Sequence, residues 1–266
     1  MNLPQKKVID ASLLTEFRSH QSRLNREAEK RATVLAWVAS EGYSTTEILQ
    51  KLLNLSRPQT YQTMKKLERD GLVTLQTVER GLLGKNTVWF VTQHGATLAM
   101  DPNAERIDIF TFQPGRVSPL TLNHVIDCQR ARLAAQAAGW KNWITDKQCR
   151  TRAALDEPAK EKRVKWLKIP DAIASDPDGV IVAIEIERTP KKPSTYAETL
   201  AEYVQMMHSN VIHRVDYVFP DPLLVPRVAR IFKEIKSIKI QGQDVPITPA
   251  ILSRFRFTAL ANWPQK

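Results

Sequence analysis

The chain has 266 residues, 42% of them hydrophobic and 25% charged, the balance of a folded globular protein rather than a disordered or collagen-like one. Two cysteines, Cys128 and Cys149, are too few for a disulfide framework and poorly spaced for zinc, so both are expected to be buried thiols. No apolar run reaches the roughly 18 residues of a membrane span, and Met1 to Asp10 lacks the apolar stretch of a secretory signal, so a cytoplasmic protein with no membrane partner is expected. Lys and Arg outnumber Asp and Glu by 39 to 28, an excess shared by both halves, which suits a polyanion held along a broad surface.

In chain order, residues 11–30 read as a polar lead-in helix. Ala28 to Glu41 reads as a second, amphipathic helix with Val34, Leu35, Trp37 and Val38 apolar, stopped by Gly42. Ser44 and Glu47 have capping-box spacing and open a helix over Thr45–Leu53. Ser56 caps the next, with Pro58 in its first turn, where proline is tolerated, and Gly71 ends it. Leu72 to Gln76 and Thr87 to Thr92 alternate like strands around a basic, glycine-hinged loop, and a further helix starts near His94. Helix, short turn, helix, then two strands is the winged helix-turn-helix pattern. The run from Met64 to Val73 resembles the junction of recognition helix and wing in bacterial winged-helix regulators. The third helix then enters the major groove of duplex DNA. Arg57, Gln59, Thr60, Gln62, Thr63 and Lys66 form its exposed face, with Arg80 and Lys85 from the wing.

An extended connection over 103–117 separates this domain, residues 1–105, from a second one, residues 106–266. Ser118-Pro119 opens a long helix carrying His124, Asp127 and Arg130, followed by a short strand over Trp140 to Thr145 and a basic stretch that includes Lys165 and Lys168. Two strands then flank Asp176-Pro177-Asp178-Gly179, a turn sequence. In the second of them Val182, Ile184 and Ile186 face one side, and Ala183, Glu185 and Glu187 the other. Asp171, on the first strand, sits opposite Glu185 only if the turn has an odd residue count or the hairpin a bulge. Three converging carboxylates repel one another, and a hard divalent cation with oxygen ligands, Mg²⁺ or Mn²⁺, relieves the repulsion. Lys191, four residues past Glu187, can reach the same site. A solvated edge strand with ordinary Glu-x-Glu alternation is the bland alternative. A helix from Thr195 to about Ser209 follows, with Tyr196 and Tyr203 on one face, then a core strand over Val215–Phe219 and a helix over 223–236.

Pro170-Asp171, the turn, Glu185-x-Glu187 and Lys191 resemble the PD-(D/E)xK nuclease core, with Glu187 in the slot where that motif has its lysine. The α-β-β-β-α-β order agrees with that core. Over roughly residues 25–240 the chain resembles the replication-relaxation family, and within it the MOBC-class conjugative relaxases. The implied fold class is α+β: an N-terminal winged helix-turn-helix followed by an α/β restriction-endonuclease-like domain. The implied activity is site- and strand-specific nicking of duplex DNA at a plasmid transfer origin. In this reading Asp171, Glu185 and Glu187 hold the metal and Lys191 completes the catalytic set. His124, Tyr196 and Tyr203 are further catalytic candidates, either tyrosine as a nucleophile that would conserve the phosphodiester's energy. A coupling protein or relaxosome accessory protein is an implied partner, and oligomeric state is left open. The competing readings are a winged-helix regulator or relaxosome accessory protein with an inactive nuclease-like domain, and a dimeric double-strand restriction nuclease.

Overall fold

A computed structural model of the chain describes residues 11–79, 84–99, 117–156 and 165–264. The chain divides into two compact units, one centred on residues 11–76 and 87–99, the other on 117–264. All but the last residue of the expected connection over 103–117, and the middle of the wing, Arg80 included, lie outside the described residues.

The first unit opens with α1 (Ala11–Glu41). The two helices expected here are one, because nothing between residues 11 and 41 is glycine or proline. Its last turns bury Val34, Leu35, Trp37 and Val38. Gly42, at φ 85°, ends it. The cap of α2 (Thr46–Leu53) is Thr45, whose hydroxyl accepts from Ile48 N, and not Ser44. The backbone of Ser44 is committed to a bridge with Trp89, N–H to carbonyl at 3.0 Å and carbonyl to N–H at 2.7 Å, which moves the cap one residue on. Ser56 and Gln59 form the capping box that starts α3 (Arg57–Arg69), and Pro58 sits in its first turn. Gly71, at φ 71°, turns the chain into β1 (Val73–Glu79), which pairs with β2 (Lys85–Val91). Then comes α4 (Gln93–Ala99), packed on α1. Gly95 is required there, since a Cβ would stand 2.0 Å from the Leu72 carbonyl oxygen. Helix–turn–helix, hairpin and closing helix surround a core of Val34, Leu35, Ile48, Leu49, Met64, Leu72 and Trp89, the winged-helix order.

In the second unit, α5 (Pro119–Ala137) is followed by β3 (Lys141–Thr145) and α6 (Asp146–Asp156). Next are β4 (Ala172–Ser175), β5 (Ile181–Ile186), α7 (Pro193–His208), β6 (Arg214–Phe219) and α8 (Leu224–Glu234). A hairpin of β7 (Ser237–Ile240) and β8 (Gln243–Pro246), the short α9 (Pro249–Leu252) and β9 (Phe255–Ala259) complete it. The mixed sheet runs β3-β4-β5-β6-β9, antiparallel in its first two pairs and parallel in its last two. So α6 interrupts the α-β-β-β-α-β order expected, and β7, β8, α9 and β9 extend it.

β5 is the middle strand, and both its faces are covered. Val182, Ile184 and Ile186 pack with Ala131, Ala135, Trp140 and Trp263. Ala183, on the other face, packs with Tyr196, Leu200 and Tyr203 of α7. The solvated-edge alternative for Glu185-x-Glu187 is therefore wrong: Glu185 is 5% and Glu187 4% exposed. The β4–β5 turn is held by Asp176, whose Oδ1 accepts from Asp178 N (3.1 Å) and Val180 N (2.9 Å), with Gly179 at φ 83°.

Candidate functional site

Five residues, 176–180, separate the paired Ser175 and Ile181, an odd count, and the register sets Ala172 opposite Ile184. Continued by one step, that register brings Asp171 opposite Glu185 on the face that α7 covers. The ladder itself stops at Ala172. The N–H of Ile186 would lack a strand partner there, and the carboxylate of Asp171 takes it: Oδ2 accepts at 2.7 Å. The other oxygen, Oδ1, lies 3.1 Å from His124 Nε2 on α5. This contact holds the imidazole above its ordinary pKa, against the effect of burial.

Glu185 accepts a short hydrogen bond from the Tyr203 hydroxyl, and Lys168 Nζ stands 3.7 Å from the same Oε1. Burial, and then the nearby Asp171, push its carboxyl up to about 7, although Lys168 and Tyr203 oppose the change. Glu187 turns elsewhere. Its Oε2 accepts from Lys191 Nζ at 3.0 Å and from the Tyr196 hydroxyl at 3.3 Å, and that hydroxyl also accepts the backbone N–H of Lys191 at 3.1 Å. Burial acts to lower the Lys191 pKa, but its hydrogen bond to Glu187 and the surrounding carboxylates outweigh burial and raise it.

Tyr196 and Tyr203, seven residues apart on α7, thus brace Glu185 on β5 and Glu187 just past its end. This corrects the idea of either tyrosine as nucleophile. Both are essentially fully buried, their hydroxyls are spent on carboxylates, and burial raises both pKa values, that of Tyr203 well above the usual range. The three carboxylates also fail to converge as expected. Among the described residues, the potential metal ligands lying within 4.8 Å of one another are His124, Cys128 and Asp171. Asp171 and Glu185 fit a divalent cation: burial and proximity leave Glu185 short of compensation, and the buried hydroxyl of Tyr217, opposite it on β6, has no hydrogen-bond partner among the described residues. Glu187, engaged by Lys191, does not belong to that donor set.

Lys168, Cys128 and Tyr217 were not read from the sequence as site residues: Cys128 was expected to be a buried thiol and Lys168 part of a basic stretch. Lys168 lies at the end of the basic stretch before Pro170-Asp171, and Cys128 is one helical turn past His124, so each had a positional signal. Tyr217 had only the inward alternation of a core strand. Cys128 is half-buried rather than buried, whereas Cys149 is fully buried, its thiol pushed up to about 12.

In the first unit, α3 buries Thr60, Met64 and Leu67, an i, i+4, i+7 stripe. Thr60 therefore lies on the core side, its hydroxyl on Ser56 O at 3.0 Å, and cannot contact DNA as expected. Gln59 is exposed, but its Oε1 accepts from the Ser56 N–H at 3.2 Å in the capping box, which removes it from base reading in this conformation. Thr63 is half-buried and donates to Gln59 O at 2.9 Å. Arg57 and Gln62 are exposed. Lys66 is exposed and paired with Glu27 of α1 at 2.8 Å, and Lys85 with Glu79 at 2.8 Å.

Two solved structures have local similarity to the chain. A mutant of Lactococcus lactis ZitR in its apo form is 16% identical, with 35% of this chain and 69% of that one covered, at a TM-score of 0.25. A mutant of S. aureus MepR is 18% identical, with 34% and 72% covered, at a TM-score of 0.24. No curated protein matches the chain. The replication-relaxation family model matches residues 35–221, from the end of α1 through β6, and on that match the chain belongs to the replication-relaxation family.

Proposed function

We propose that the protein is a divalent-metal-dependent endonuclease of PD-(D/E)xK type that nicks one strand of duplex DNA, acting as a MOBC-class relaxase at a plasmid transfer origin. The observation that carries this reading is the buried carboxylate of Glu185, facing Asp171 at the end of β4 and β5 with its pKa near neutrality. Such an arrangement costs stability and is concentrated at functional sites. Membership of the replication-relaxation family supports the same reading.

Asp171 and Glu185 hold the cation, Mg²⁺ or Mn²⁺, which when bound supplies Lewis-acid polarisation of the scissile phosphate. The Ile186 N–H and His124 fix the Asp171 carboxylate, and Tyr203 fixes Glu185. Lys191, oriented by Glu187, stabilises charge developing on the phosphate. Water is the nucleophile, because the hydroxyls of both tyrosines on α7 are buried and bonded to carboxylates. In the first unit the exposed side chains of Arg57, Gln62 and Lys66 on α3 and Lys85 on the wing contact the duplex. Supercoiled plasmid carrying a transfer origin, incubated with the protein and Mg²⁺ or Mn²⁺, should yield nicked circles with wild type and none with Asp171→Ala. Equal nicking by the variant would defeat the nuclease reading and leave a DNA-binding accessory factor.

A further inference from the structure

His124 and Cys128 are four residues apart on α5 and so share a face. Both meet Asp171. His124 Nε2 is 3.1 Å from Asp171 Oδ1 and 3.7 Å from Cys128 Sγ, and the three ligand atoms lie within 4.8 Å of one another. Two groups capable of bearing negative charge therefore aim at one ring nitrogen. A single proton on that nitrogen can lie along only one of the two contacts, whereas a cation among the three atoms satisfies both.

The separations have the right size. Zinc bonds of about 2.0–2.1 Å to nitrogen, 2.0–2.2 Å to oxygen and 2.3 Å to sulfur, at tetrahedral angles, put nitrogen about 3.4 Å from oxygen and about 3.6 Å from sulfur. The observed edges lie within a few tenths of an ångström of these. Asp171 is already aimed, because Ile186 N–H holds Oδ2 at 2.7 Å and leaves Oδ1 on the His124 side. The side chains of His124 and Asp171 are 34% and 23% exposed, so solvent can reach the group.

We infer that His124, Cys128 and Asp171 form a binding site for a borderline transition-metal ion, Zn²⁺ or Co²⁺ in class. An imidazole–thiolate–carboxylate set selects such an ion over Mg²⁺, which takes oxygen ligands. Three protein ligands leave one tetrahedral position for water or a phosphate oxygen, the arrangement of catalytic rather than structural zinc sites. Binding releases the thiol proton, and the Nε2 proton of an imidazolium, to solvent. The site shares Asp171 with the proposed nicking centre but does not require that the protein nick DNA.

The test is titration of the metal-free full chain with Co²⁺. Wild type should bind one equivalent, with thiolate-to-cobalt charge transfer in the near ultraviolet and intense four-coordinate visible bands. Cys128→Ser, a near-isosteric change, should lose the charge-transfer band. His124→Ala should weaken Co²⁺ and Zn²⁺ binding by more than the roughly 10–100-fold that loss of an outer hydrogen-bond partner costs. Absence of the charge-transfer band in folded wild type, or its persistence in Cys128→Ser, overturns the inference. A nicking assay with Mg²⁺ on the same preparations separates this from the nuclease reading. Nicking without a cobalt–thiolate band removes the metal site alone. A band without nicking in any metal sustains the site and removes the nuclease.

Discussion

Replacing Glu185 by Gln should make the protein more stable, and only at high pH. The carboxyl is displaced from an ordinary 4.5 to about 7, chiefly by burial and secondly by Asp171. At about 1.4 kcal/mol per tenfold change in acidity, that displacement amounts to about 3 kcal/mol by which ionised Glu185 destabilises the native state. The folded chain holds the proton more tightly than the unfolded one. Stability is therefore lost as pH rises from about 4.5 to about 7 and stays lost above. Glutamine is close to isosteric and does not titrate, and its amide oxygen still accepts from the Tyr203 hydroxyl. The variant and wild type should be about equally stable near pH 4, with the variant ahead by about 3 kcal/mol near pH 8. Urea denaturation in EDTA at both pH values, followed by tryptophan fluorescence, measures the gap. A gap independent of pH, or a wild type more stable at pH 8, would refute the electrostatic account of Glu185. Adding Mg²⁺ at pH 8 should narrow the gap by stabilising wild type alone, as for any ligand that binds only the native state.

Asp127 is 2% exposed and gripped by Arg188 and by Arg130, the latter at 3.0 Å. Arg188→Ala should cost about 2–3 kcal/mol in chemical denaturation, below the roughly 3–5 of a wholly orphaned buried charge because Arg130 remains; a loss under about 0.5 would mean the pair is not made. Arg57→Ala with Lys66→Ala should weaken duplex binding measured by anisotropy and reduce the salt slope by about two; unchanged affinity would show that α3 does not face DNA. Glu27→Gln should act in the opposite sense, tightening binding by freeing Lys66 from the carboxylate that neutralises it.

The sequence carries its clearest information wherever backbone conformation is dictated locally. Gly42 and Gly71 end helices by going left-handed, and the Asp-Pro-Asp-Gly turn fixes the register that brings Asp171 to Glu185. What it conceals depends on which of several partners a side chain chooses. Gln59 can read a base or close a capping box, and it closes the box. Thr60 is polar, yet the Thr60–Met64–Leu67 stripe turns it inward. Glu187 alternates correctly with Glu185, but Lys191 and Tyr196 draw its carboxylate away from Asp171. α6 carries few apolar residues and reads only as part of a basic stretch. β9 pairs with β6 from some forty residues along the chain, a contact that no local periodicity encodes.

The second unit contains other buried carboxylates, and their surroundings sharpen the case for Glu185. Asp176 and Asp216 grip the guanidinium of Arg214 at 2.9 and 2.8 Å, and the Trp263 indole N–H donates to the second oxygen of Asp216 at 3.0 Å. Asp127 has a guanidinium on each oxygen. A planar guanidinium offers directed donors that match a carboxylate, so these networks are closed and have little capacity left for a ligand. Glu185 is treated differently. Among the described residues its nearest cation is the ammonium of Lys168, at 3.7 Å, and its closest donor is a neutral phenol. A second carboxylate lies across the strand pair, and the phenol of Tyr217 on the next strand has no partner among the described residues. A fold that completes Asp127, Asp176 and Asp216 with arginine, and Glu187 with Lys191 and Tyr196, has left Glu185 incomplete, at the sheet end where Asp171 stops the ladder. The incomplete position is the one with room in its electrostatics for a cation and the phosphate that accompanies it.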